Sequence, residues 1–254
     1  MVASKPLLHP PLSEVAFEIS FSRQFLVENR IAEFQQTISA SYPNSSDEFM
    51  VRLPPSVGFG KPTRAGGALV TPVRTFVFQN QGGTRSVKAS VVNVNFVVTD
   101  YRDFDDYKSA LLLVLSSAIR IFELRRIERF GLRYVNRIPI PRQSGPLAFR
   151  NYVRPPIDLS FFDAHTLANF LLEARLDLEN DKKLTVRAGL LPLDIEDGDY
   201  TYLLDLDSYS DIPRSISEEA LPGILDDYHQ AIEVEFRRSM TDKYWTYLEK
   251  GERL

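Results

Sequence analysis

The chain contains no cysteine, which excludes disulfides, thiolate metal centres, iron–sulfur clusters and cysteine nucleophiles together. Histidine is scarce as well. His9, His165 and His229 are the only three, and no pair has the HxH or HxxxH spacing of a histidine metal site. No metal or cofactor is therefore expected. Phosphate-cradling glycine motifs are missing: GFGKPTRAGG, from Gly58 to Gly67, fits neither GxxxxGK[ST] nor GxGxxG, and no GxSxG elbow supports a serine nucleophile. Excess positive charge is also absent. Thirty Lys and Arg stand against 34 Asp and Glu, for a net charge of -4, so no global field draws nucleic acid and any anion site must be local. The longest apolar run, Ala110 to Leu115, is too short to cross a bilayer. The opening MVASKPLLHPPLSE, with one lysine and three prolines, does not read as a secretory signal. A cytoplasmic protein without membrane contact is expected.

What is present is an ordinary globular composition, 44% hydrophobic over 254 residues, long enough for one large domain or two small ones. Val15 to Phe21 alternates apolar and polar, as a half-buried strand does. Ile31, Phe34, Ile38 and Tyr42 keep helical spacing over about Val27 to Ser41, until Pro43. A short strand near Phe49 to Leu53 and a Pro- and Gly-rich loop follow. Val73 to Gln79 and Arg85 to Val98 then flank NQGGT, whose glycines supply the positive φ of a tight hairpin. The apolar stretch from Phe104 to Leu124 predicts a helix buried on most sides.

The second half opens with RRIERFGLRYVNRIPIPR, Arg125 to Arg142. At strand period two, Phe130, Leu132, Tyr134 and Ile138 face one way, and Arg129, Arg133 and Arg137 face the other. Beyond it the pattern predicts a short helix around Ala164 to Leu172, strands over Arg175 to Glu179, Leu184 to Leu190 and Tyr200 to Asp207, and a helix from about Glu218 to Met240. A helical tail carries Tyr244, Trp245 and Leu248. Both halves therefore run in the same order. The expected fold is α+β: two similar β-α-β-β-β-α halves, 1–124 and 125–254, with antiparallel sheets covered on one face by long helices.

The face opposite the helices collects Arg129, Arg133, Arg137, Arg175, Arg187, Asp177, Glu179, Asp205 and Asp207. Two accounts fit. Opposite charges on neighbouring strands form a self-neutralising lattice, or the arginines form a groove for a phosphate, a carboxylate or an RNA backbone, with Asp205 and Asp207 orienting them. The candidate binding residues are Arg129, Arg133, Tyr134, Arg137, Arg175, Arg187, Asp205 and Asp207, and the partner is an anionic ligand or another protein. RNA is the alternative. There Tyr152, Tyr200, Tyr202 and Tyr209 lie near basic residues able to stack bases, and His229 or Tyr134 assists proton transfer without a metal. Tyr200 and Tyr202 also share a face with Leu204 and Leu206, which favours a core role.

PLSEVAFEISF, FGLRYVNRI, LLDLD and LDDYHQAIEVEFRRSMTDK give the chain a resemblance to a sporadically distributed prokaryotic protein family of about this length, which has a central GLRYVN-type motif and no established function. The resemblance implies a single-unit protein of a mobile, defence-like or toxin–antitoxin locus. It carries over no catalytic residue.

Overall fold

Nine strands form one continuous antiparallel sheet, and helices cover one of its faces. The computed structural model describes residues 7–50, 72–141, 144–157, 169–191 and 199–251. Strand β1 (Leu12–Ser20) leads to α1 (Leu26–Ile38), then β2 (Asn44–Met50), β3 (Val73–Gln79), β4 (Arg85–Ser90), β5 (Asn93–Val98) and α2 (Phe104–Ile121). The second half comprises β6 (Arg126–Ile127), β7 (Arg129–Ile140), β8 (Leu172–Asp177), β9 (Lys183–Leu190), β10 (Tyr200–Ser210), β11 (Arg214–Ser215), α3 (Leu221–Ser239) and α4 (Asp242–Lys250). In space the strands run β2-β3-β4-β5-β1-β7-β10-β9-β8, while β6 and β11 make a separate small ribbon.

Alternation in sequence fixes which face each strand buries. Val15, Phe17 and Ile19 of β1 lie beside Phe130 and Leu132 of β7 and Leu204 and Leu206 of β10, all essentially out of water. Phe17 meets the Phe130 ring edge-on at 4.6 Å, a favourable aromatic geometry. On this face α2 packs against β5 and α3 against β7 and β10. The start of α2 is set by Asp103, whose side chain accepts from the Asp106 amide at 2.8 Å and satisfies a donor left over by the first turn. Thr241 caps α4 in the same way, at 3.2 Å from the Tyr244 amide.

Three local expectations change. Residues 85–98 are two strands rather than one, turning at Val91 and Val92, where Ser90 Oγ accepts from the amides of Val92 and Asn93. The sheets of the two halves are joined through β1 and β7 into one. The strand expected at Arg175 to Glu179 begins three residues earlier, at Leu172. The expected helix at 164–172 otherwise lies outside the described residues, apart from Asn169–Leu171, which leads into β8, and so does most of the strand placed at 49–53. The tail docks on its own chain: Tyr244 and Leu248 are buried, and the Leu8 amide donates to the Leu248 carbonyl at 2.8 Å. Among the described residues no helix is long and apolar enough to cross a membrane.

Candidate functional site

On the face away from the helices, β7, β10, β9 and β8 lie side by side and their charges interlock. Arg133 donates from Nε and Nη2 to the two carboxylate oxygens of Asp205, at 2.7 and 2.8 Å. This is the bidentate fork in which a guanidinium matches a carboxylate best. Asp205 also accepts from Arg187 Nη1 at 3.2 Å, while Arg187 Nε donates to Glu173 at 2.7 Å. The register explains this, because Arg187 stands directly opposite Asp205 on one side and Glu173 on the other. Glu173 accepts a second arginine, Arg175, at 2.9 Å. Its carboxyl is held below the ordinary range by the hydrogen bond from Arg187 and then by that from Arg175. The side chain of Asp205 is 2% exposed and that of Arg133 43%. The buried carboxylate thus anchors a half-exposed cation.

Arg129 reaches further along the strand. Its Nη2 lies 3.1 Å from Asp207 and its Nη1 3.6 Å from Glu18 of β1, with the guanidinium over the Tyr209 ring at 5.0 Å. Gly131 makes this route available. A Cβ at that position would meet Arg129 Nη1 at 2.7 Å, so the glycine of the GLRYVN segment leaves a channel in which the arginine lies. Burial pushes the Asp207 carboxyl above its ordinary value, and Arg129 pulls the other way. Of the eight candidate residues, Arg129, Arg133, Arg175, Arg187, Asp205 and Asp207 are therefore assembled, but chiefly onto one another.

Arg137 is the exception on β7. It is exposed and makes no ion pair among the described residues. It opens into a cleft of about 540 Å³, shared with the Pro10–Pro11 segment, Tyr152, Asp199, Tyr244 and Tyr247. One wall is a run of rings: His9 stacks on Tyr247 at 5.0 Å, Tyr247 on Tyr244 at 5.8 Å, and Tyr244 meets Tyr152 edge-on at 5.2 Å. The backbone ties the Pro10–Pro11 segment to β7, where the Arg137 amide donates to the Pro11 carbonyl at 2.8 Å. A cation, flat apolar walls and a partly enclosed volume are the ingredients of a small-ligand site.

Tyr134 lies on the other face of β7, beneath the helices. Its hydroxyl is 2.9 Å from His229 Nδ1 of α3 and 3.5 Å from the Tyr101 hydroxyl. Phe104 stacks on the imidazole, with centroids 3.7 Å apart. Burial holds His229 below its ordinary value, against the opposing charge of Glu233, and burial raises Tyr134 well above its own. The pair is a hydrogen bond between buried Tyr134 and half-buried His229, whose Nε2 lies 4.0 Å from Glu233, and the structure does not bring Tyr134 to the arginines. Of the tyrosines considered as base-stacking groups, Tyr202 is core and Tyr209 supports Arg129, whereas Tyr152 reaches the Arg137 cleft. Among the described residues no group of three His, Cys, Asp or Glu side chains could hold a metal ion.

Sequence reasoning missed His9, Tyr244 and Tyr247 as lining residues. Only the docking of α4 against the start of β1 brings them to Arg137, although the aromatic density of KYWTYL is a usable signal. No family model matches the chain, and no curated protein matches it.

Proposed function

We propose that this is a binding protein for a small, flat anion, held at the Arg137 end of β7. The observation that carries the reading is the contrast within one row of arginines. Arg129 and Arg133 are neutralised by Asp207 and Asp205, while Arg137 faces a ring-walled cleft with no carboxylate bonded to it among the described residues. A guanidinium supplies paired donors for a carboxylate or phosphate, and stacked rings with prolines suit a planar apolar body. The charged lattice beside it holds β7 in place and is a framework rather than the contact surface.

Calorimetry with an aromatic carboxylate and a nucleoside monophosphate at low salt tests this. At least one is expected to bind, and Arg137→Ala is expected to lower its affinity about tenfold, one charge-assisted hydrogen bond's worth, with an unaltered melting temperature. Absence of binding by both, or equal binding by the variant, overturns the proposal. RNA cleavage through Tyr134 or His229 has less support, because the two groups satisfy each other beneath the helices. The family resemblance supports placing this binding role in a mobile, defence or toxin–antitoxin locus, which the neighbouring genes test. We also infer a duplicated unit. Within the nine-stranded sheet, leaving the β6–β11 ribbon aside, the first strand of each half pairs antiparallel with the last before the long helix, β1 with β5 and β7 with β10, and the two first strands meet at the centre.

A further inference from the structure

A second cluster of arginines lies at the opposite end of β7. Arg125 and Arg126, which follow α2, share a cleft of about 330 Å³ with Arg23 from the connection between β1 and α1. None of the three forms an ion pair among the described residues. Glu123, the carboxylate lining the cleft, already accepts from Arg30 at 3.2 Å, and Arg30 is itself chelated by Glu33. Glu128, next along the chain, accepts from the Ser22 hydroxyl. The acidic groups nearby are thus engaged, while the cations are not.

The backbone holds these arginines in place. Glu123 adopts a left-handed φ of 54° that ends α2, and the Leu124 amide closes the turn on the Ile119 carbonyl at 3.0 Å. Arg126 is then fixed by strand pairing with Ser215, and the Arg23 guanidinium lies over the Phe25 ring at 5.9 Å. Phe21 and Leu124, both buried, form an apolar floor, and poor solvation on that side strengthens charge-assisted hydrogen bonds.

We propose that this cleft binds a compact, multiply charged phosphate group. A phosphate chain carries more negative charge and more acceptor oxygens than a carboxylate, and so can meet three guanidinium groups at once. The size of the cleft and the net charge of -4 over the whole chain favour a short polyanion over a long nucleic-acid backbone, which would run onto acidic surface.

Titrating inorganic tripolyphosphate into the full-length protein at low salt is the test. Binding is expected to weaken about tenfold or more in the Arg125→Ala/Arg126→Ala double variant and further when Arg23→Ala is added. Arg137→Ala, in the other cleft, is expected to leave it unchanged. Side-chain Nε–Hε shifts in the unmodified protein give a second readout, in which Arg23, Arg125 and Arg126 move and Arg133 does not. No binding, binding that survives the triple variant, or shifts confined to other arginines overturns the proposal. Tighter binding of a single-stranded oligonucleotide carrying the same number of phosphates overturns the compact-ligand part.

Discussion

The two faces of β7 solve the same problem by different means. Toward the helices, where little water reaches, buried Tyr134 and half-buried His229 meet as a hydrogen bond, and burial disfavours the charged form of each. Away from the helices, where the side chains are part-exposed, full charges are kept and neutralised: Arg129 by Asp207 and Glu18, Arg133 by Asp205, Arg187 by Asp205 and Glu173. The difference follows from desolvation, which penalises an unpaired charge far more than a neutral dipole. It also changes what an arginine on this strand means. A guanidinium whose donors are taken is a tie between strands, and among the described residues of the segment Arg125, Arg126 and Arg137 keep donors to offer.

The sharpest way to break this contrast is to remove the buried anion of the lattice. Asp205→Ala leaves Arg133 and Arg187 without their shared partner and should cost about 2–4 kcal/mol in urea unfolding. Arg133→Ala, at a half-exposed site, should cost about 1 kcal/mol. Equal stability of both variants and the parent would show that the lattice is ornamental. On the covered face the effect is smaller and depends on pH. The folded-state pKa of His229 lies below its unfolded value of 6.5, so as pH falls through that value the unfolded chain takes up a proton that the folded chain refuses. Stability should be full well above pH 6.5 and decline as pH falls through 6.5 toward the lower folded-state value, and His229→Gln should flatten that decline. A profile unchanged by the substitution would assign the slope to other groups. The smallest effect belongs to the rim. Arg175, with 70% of its side chain exposed, should cost no more than about 0.5 kcal/mol when changed to alanine, and a loss as large as that of Asp205→Ala would contradict the distinction between anchor and rim.

Much of the framework was legible because period-two and period-3.6 patterns were strong: Val15 to Ile19, Phe130 to Ile138 and Leu225 to Ile232 bury the residues their spacing indicates. The turn between β4 and β5 was not. Its central residues are Val91 and Val92, which read as strand, and the signal lay in Ser90, whose hydroxyl closes the turn by accepting from the amides of Val92 and Asn93, with no positive φ required. The site was half legible. Alternation separated Arg133 from Tyr134 and put Asp205 and Asp207 on the arginine face, but pairing depends on strand order, and β7 meets β10 only after a separation of some 70 residues. The ring wall beside Arg137 depends on docking of α4; the aromatic density of KYWTYL signals a packed helix, but where it packs is set by long-range contacts.

The central position of β1 has a kinetic consequence. This strand is hydrogen-bonded on one edge to β5 and on the other to β7, both of which lie later in the chain, so both partners emerge long after it. At about 5–20 residues per second, it waits seconds before Asn93–Val98 appears and longer for Arg129–Ile140. Until then the first half has a five-stranded sheet in prospect whose inner edge, β1, is open, and closing it demands a long-range search of the kind that slows β-rich folding. An alternating strand such as VAFEISF with an unpaired edge is also a template for other chains. The arrival of β7, bringing its arginines, is what turns that edge into the middle of the sheet.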